Sequence, residues 1–114
     1  MEKQLVIEVK MCNGVKFVKT ESVVLIRTTK RHSVITLCDG TFIEAFHSIG
    51  WFEQNLSKLE FCRCHQSHIV HFRYIESLDY TSAKVKVKGY GEVSFSRKYK
   101  PVLVNKLKAY LAQN

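Results

Sequence analysis

Three short polar clusters hold the side chains best suited to chemistry: Thr28-Thr29-Lys30-Arg31-His32, Cys64-His65-Gln66-Ser67-His68 and Ser96-Arg97-Lys98-Tyr99-Lys100. Each interrupts a β-like pattern and falls at the expected end of a strand. Together they combine cations that bind phosphate with groups that read base edges: Arg for guanine, Gln for adenine, His or Ser for several donors and acceptors. Any one of them alone suits a solvated loop. Three in one small basic chain favour a nucleic-acid surface.

Other chemistries use overlapping residues. Cys62, Cys64, His65 and His68 lie within seven residues, and thiolate and imidazole are the usual zinc ligands. Cys-x-Cys-His without a second ligand pair is not a structural-zinc spacing, and on a strand Cys62 and Cys64 share a face while His65 points away. No metal and no cofactor are therefore expected. A Cys64–His nucleophile pair lacks an orienting acid, and no glycine-rich phosphate loop or paired carboxylates accompany it, so the chain reads as a non-enzyme. A small β domain binding single strands would use exposed aromatics such as Tyr74, Tyr80 and Tyr90, which do not cluster in sequence as a stacking platform should.

Charge supports the nucleic-acid reading. The 114 residues carry +8, and the distribution is uneven: residues 1–60 have eight Lys/Arg against seven Asp/Glu, whereas 61–114 have ten against three. A nearly neutral half joined to a +7 half is the usual electrostatic footprint of a phosphate binder. Apolar residues at 46% and charged residues at 25% exclude a disordered chain, and the length fits one domain. No apolar run approaches the roughly 20 residues of a membrane span, and the start Met1-Glu2-Lys3-Gln4 has no secretory pattern, so a cytoplasmic protein without membrane contact is expected. Cys12, Cys38, Cys62 and Cys64 sit in or beside apolar segments, which argues against a disulfide framework and for small buried hydrophobes.

The elements that must position the clusters are mostly strands. Leu5–Val9 and Val15–Val18 flank Asn13-Gly14 as a hairpin; Val23–Ile26 suits a fully buried strand; Val34–Cys38 and Thr41–Ile43 flank Asp39-Gly40 as a second hairpin. Ile49, Phe52, Leu56 and Leu59 follow helical spacing behind a Ser48 cap, predicting one internal helix over 48–59. Short β-like pieces follow at Phe61–His65, Ser67–Val70 and Tyr74–Leu78. Lys84–Lys88 alternates lysine with valine, and Gly89-Tyr90-Gly91 turns into Glu92–Phe95. From Pro101, the positions Val102, Leu103, Leu107, Tyr110 and Leu111 predict a terminal helix docked on the sheets. No repeat or linker is visible, so 1–114 reads as a single domain.

Within this frame, Phe61-Cys62-Arg63-Cys64-His65-Gln66-Ser67-His68-Ile69-Val70 resembles the F-x-R-x-H-x-S-x-x-V segment of LytTR domains, and Ser96-Arg97-Lys98-Tyr99 resembles that family's S-R-x-Y element. The hairpin at Asp39-Gly40, the helix from Ser48, and Ile75 with Leu78 fall where the family has them, so the likeness covers nearly the whole chain. The resemblance implies an elongated, mostly β fold of three small antiparallel sheets with a short internal helix and a C-terminal helix, reading double-stranded DNA through loops. It implies base contacts from His32, Gln66 and Arg97, and phosphate contacts or loop support from Lys30, Arg31, Arg63, His65, Ser67 and Lys98. It also implies the output half of a bacterial response regulator in a two-component system, with the receiver domain elsewhere, monomeric alone and paired on direct-repeat promoter sites. Two positions depart from the pattern: His71 stands where Asn is usual, and Arg27 where an acidic residue is common.

Overall fold

A computed structural model of the chain describes residues 5–30 and 32–113. Strands β1 (Val6–Met11) and β2 (Gly14–Lys19) form an antiparallel hairpin. Its turn is one residue earlier than the sequence suggests. Cys12 and Asn13 make the loop, Met11 faces Gly14, and Gly14 opens β2 at φ +154°, a backbone region that favours glycine. Ile7, Val9 and Val18 turn inward, while Val15 and Phe17 face solvent.

A five-stranded antiparallel sheet follows, built from β3 (Val23–Thr28), β4 (Ser33–Leu37), β5 (Phe42–Ala45), β6 (Phe61–His65) and β7 (His68–His71) in the order β5-β4-β3-β7-β6. The run Val23–Ile26 is buried throughout, as expected of a central strand covered on both faces. A bulge gives β3 this two-sided role. Val23 pairs with Leu37 and Leu25 with Thr36, so Val24 is the extra residue. Val23 and Ile26 enter one core, and Val24 and Leu25 enter the other.

The first core lies between the sheet, the β1–β2 hairpin and helix α1 (Ile49–Asn55), with Phe52 fully buried at its centre. Ser48 caps α1 as expected, its Oγ accepting the Trp51 N–H at 3.1 Å. The helix stops at Asn55 rather than continuing to Leu59. Leu56 is extended and buried, the Asn55 amide donates to the Trp51 carbonyl, and the Ser57 carbonyl accepts two turn bonds from Glu60 and Phe61 that lead into β6. Leu59 is left exposed.

The second core lies on the opposite face, under a three-stranded meander β8 (Ile75–Asp79), β9 (Lys84–Val87) and β10 (Gly91–Ser94), and under helix α2 (Lys100–Gln113). Val85 and Val87 point into it while Lys86 faces out, as the alternation predicts. Leu103 is fully buried, and Leu107 and Tyr110 are half-buried against the same cluster, but Val102 and Leu111 are exposed. The buried stripe of α2 is therefore narrower than its apolar sequence. The result is three antiparallel sheets and two helices in a body of 42 × 34 × 24 Å. Among the described residues, no helix is long and apolar enough to cross a membrane.

Candidate nucleic-acid interface

The loop after β3, the turn after β6 and the segment after β10 meet at one end of the central sheet. They are tied through the backbone. The Thr28 N–H donates to the Ser67 carbonyl at 3.0 Å, and the Ser96 N–H donates to the Cys64 carbonyl at 2.9 Å. Within the first loop, the Thr29 N–H donates to the His32 carbonyl at 2.8 Å, and Thr29 Oγ1 accepts the His32 N–H at 3.1 Å. The Tyr99 N–H donates to the Ser96 carbonyl and closes the third segment into a turn leading to α2. Three clusters separated by some thirty residues each in sequence thus become one surface.

On this surface Lys30, Gln66, Arg97 and Lys98 are exposed. Arg31 lies outside the described residues. His32 is partly buried: its ring stacks on Phe46 with centroids 4.4 Å apart, and Nε2 is 3.6 Å from the Glu44 carboxylate. The aromatic stack and the carboxylate fix the plane of the imidazole at the rim.

Arg63, His65 and Ser67 support the turn. Arg63 donates from Nη1 to Glu53 at 3.0 Å and from Nη2 to the Gln66 carbonyl at 2.6 Å, and its guanidinium lies 6.0 Å over the Tyr99 ring. His65 Nδ1 accepts the Ser67 N–H at 3.1 Å. A second bulge falls here: Arg63 pairs with Ile69 and His65 with His68, leaving Cys64 as the extra residue beside the turn. Lys98 Nζ lies 5.4 Å from the centroid of the same Tyr99 ring.

His68 sits beneath the turn, opposite Arg27. Burial lowers its pKa below the ordinary 6.5, and the neighbouring His65 and Arg27 lower it further. The unusual Arg27 thus acts on His68, and helps keep its ring neutral. The other unusual residue, His71, is buried; Nδ1 accepts the Arg73 N–H at 3.0 Å, capping the 3-10 turn Phe72–Tyr74, and Nε2 is 3.7 Å from Glu60. The loop after Val70 is held by an imidazole acceptor.

The ligands that a zinc reading would need are committed elsewhere. Cys62 and Cys64 share a face, but it is the face of the second core; burial pushes the Cys64 thiol up to about 12, with Cys62 adding to the rise, and burial also raises Cys62. Thiolates are disfavoured there. Among the described residues, no three His, Cys, Asp or Glu side chains converge as metal ligands. Cys12 and Cys38, in contrast, are exposed in turns rather than buried as their apolar surroundings suggest. The tyrosines form no platform: Tyr74 donates to the Glu21 carbonyl, and Lys100 covers Tyr80 at 4.4 Å.

The supporting residues Glu44, Phe46 and Glu53 are invisible to sequence reasoning. Each acts across strands or between a helix and a strand, without a local spacing to announce it.

Compared with known families, residues 13–108 match the LytTr DNA-binding domain. Among solved structures, the chain is similar to the LytTr DNA-binding domain of a protein described as a methyl-accepting/DNA response regulator from Bacillus cereus. The TM-score is 0.77 at 22% identity over 91% of this chain and 97% of that one, a likeness of fold. No curated protein matches the chain. With residues 13–108 inside the family match, most of its length, the chain belongs to the LytTr DNA-binding domain family.

Proposed function

We propose that the chain binds double-stranded DNA sequence-specifically and serves as the output domain of a transcription regulator whose receiver lies elsewhere. The observation that carries this reading is the convergence of three polar loops at one end of the central sheet, two of them bearing Lys or Arg, tied by the Thr28–Ser67 and Ser96–Cys64 hydrogen bonds. Family membership supports DNA as the ligand. Arg97 reads guanine through a bidentate bond, His32 reads a second base from its Phe46 stack, and Gln66 adds a supplementary contact. Lys30, Arg31 and Lys98 contact phosphate and set the register. His65, Ser67 and Arg63 hold the turn.

Two copies meet on direct-repeat sites. Each is a monomer without DNA: Ile49 and Phe52 of α1 and Leu103 of α2 are spent on the cores, and the exposed Val102 and Leu111 of α2 make too small a patch to hold a dimer. Selecting bound duplexes from a random library tests specificity and pairing together. The expected outcome is a short motif recurring twice in the same orientation. Recovery of sequences without a motif, or preferential capture of single strands, rejects the reading.

A further inference from the structure

Arg63 looks like a phosphate-binding cation in sequence, but its donors face inward. One arm meets the Glu53 carboxylate of α1 at 3.0 Å, the other meets the Gln66 carbonyl at 2.6 Å, and the plane lies over Tyr99 at 6.0 Å. Its side chain is 18% exposed. The exposed Glu53 pair alone contributes little to stability. Its effect is directional: a planar fork with one arm fixed by a carboxylate has its other arm aimed. The aimed arm holds the backbone of Gln66. One residue along β6, the Cys64 carbonyl holds Ser96, whose turn carries Arg97 and Tyr99.

We infer that Glu53, acting through Arg63, is a positioning residue that locks the Gln66 turn and the Ser96–Tyr99 segment into one geometry, so that the two loops read DNA as a unit. Through α1, this geometry is anchored in the first core, where Phe52 beside Glu53 is fully buried. Arg63 is neutralised by Glu53 and gives no phosphate contact. The inference rests on the DNA-reading role proposed above.

The test uses Glu53→Ala, Glu53→Gln and Arg63→Gln, with thermal melting to confirm folding. Discrimination is measured as the affinity ratio between the selected duplex and duplexes substituted at the positions that Gln66→Ala and Arg97→Ala desensitise. Glu53→Ala should lower both ratios by about twofold to fivefold, within what an exposed ion pair can contribute. Glu53→Gln, which keeps an acceptor oxygen, should recover part of the loss. Arg63→Gln should leave the slope of log affinity against log salt unchanged. A slope lower by about 0.9, the value for one lost phosphate contact, with both ratios intact, overturns the inference. So does a Glu53→Ala effect confined to one of the two positions. Amide shifts in the DNA-free protein separate the two readings. Glu53→Ala should move Gln66, Ser67 and Ser96–Tyr99 while leaving Val9 and Val18 in place, whether or not the domain discriminates duplexes. Unmoved loop amides reject the lock even where DNA reading stands, and moved amides without duplex discrimination reject DNA reading alone.

Discussion

At the scale of residues, the candidate readers differ in how firmly they are held. Arg97 is exposed on a turn, so its contribution depends on what it meets. Arg97→Ala should cost about 1–3 kcal/mol on a selected duplex, the value of a bidentate guanine contact, and much less on random duplex. Lys86→Ala, on the solvent face of β9, should weaken both equally and lower the salt slope by about one. Equal losses for the two variants in a paired binding titration refute base reading by Arg97. His32→Ala should follow Arg97→Ala, with a milder effect from Gln66→Ala. The clusters themselves were legible from residue type. Which side chains in and beside them are free to face DNA was not, because Arg63, next to the second cluster, and His65 within it are held by partners ten and two residues away, Glu53 and Ser67.

At the scale of elements, alternation and capping predicted most strands and the start of α1. Their ends were set by interactions that alternation does not encode, such as the Asn55 amide on the Trp51 carbonyl and the bulge at Val24. Ser48→Ala should destabilise the protein by about 1 kcal/mol, visible as a lower melting temperature. The narrow stripe of α2 separates two leucines that look alike in sequence. Leu103→Ala should cost about 2–5 kcal/mol, whereas Leu111→Ala should stay within about 0.5 kcal/mol. Similar melting temperatures for both would contradict the docking of α2.

The link from β5 to α1 gives a pH dependence. His47 Nε2 accepts the Lys10 N–H at 3.0 Å, and its ring stacks on Trp51 with centroids 3.6 Å apart. Burial lowers the His47 pKa below 6.5, and nearby Lys10 lowers it further. The folded state therefore binds fewer protons than the unfolded state around this pH. The stability from this site is complete above 6.5 and is lost as pH falls toward the folded value. Burial lowers the pKa of His68 as well, so both sites act in the same direction. Melting temperature should drop between about pH 7.5 and 5.5, and His47→Gln should flatten part of that drop. Trp51, the only tryptophan, reports the stack by fluorescence.

At the scale of the whole molecule, the charge asymmetry of the sequence anticipates strong salt dependence. About five phosphate contacts at roughly 0.9 each imply a log-log slope near −4.5, or close to three orders of magnitude in affinity for a fourfold rise in salt. A slope near zero in binding titrations would exclude an interface of this kind. The three-sheet arrangement was reachable only through the family-like motifs. Periodicity assigns each strand a buried face but does not say that β3 is shared, since a continuously apolar run fits any doubly covered strand.

That sharing has a consequence for how the protein opens. Because β3 forms a wall of both cores and is flanked by β4 and β7, neither core can come apart without uncovering one side of the same strand. The amide protons of Leu25 and Ile26 should exchange with solvent only when the entire chain unfolds, with protection equal to the global free energy. Those of the outlying β1–β2 hairpin and the last turn of α2 should exchange through smaller openings. Native-state hydrogen exchange can rank these sites, and faster exchange at Ile26 than in the hairpin would show that the two cores melt independently.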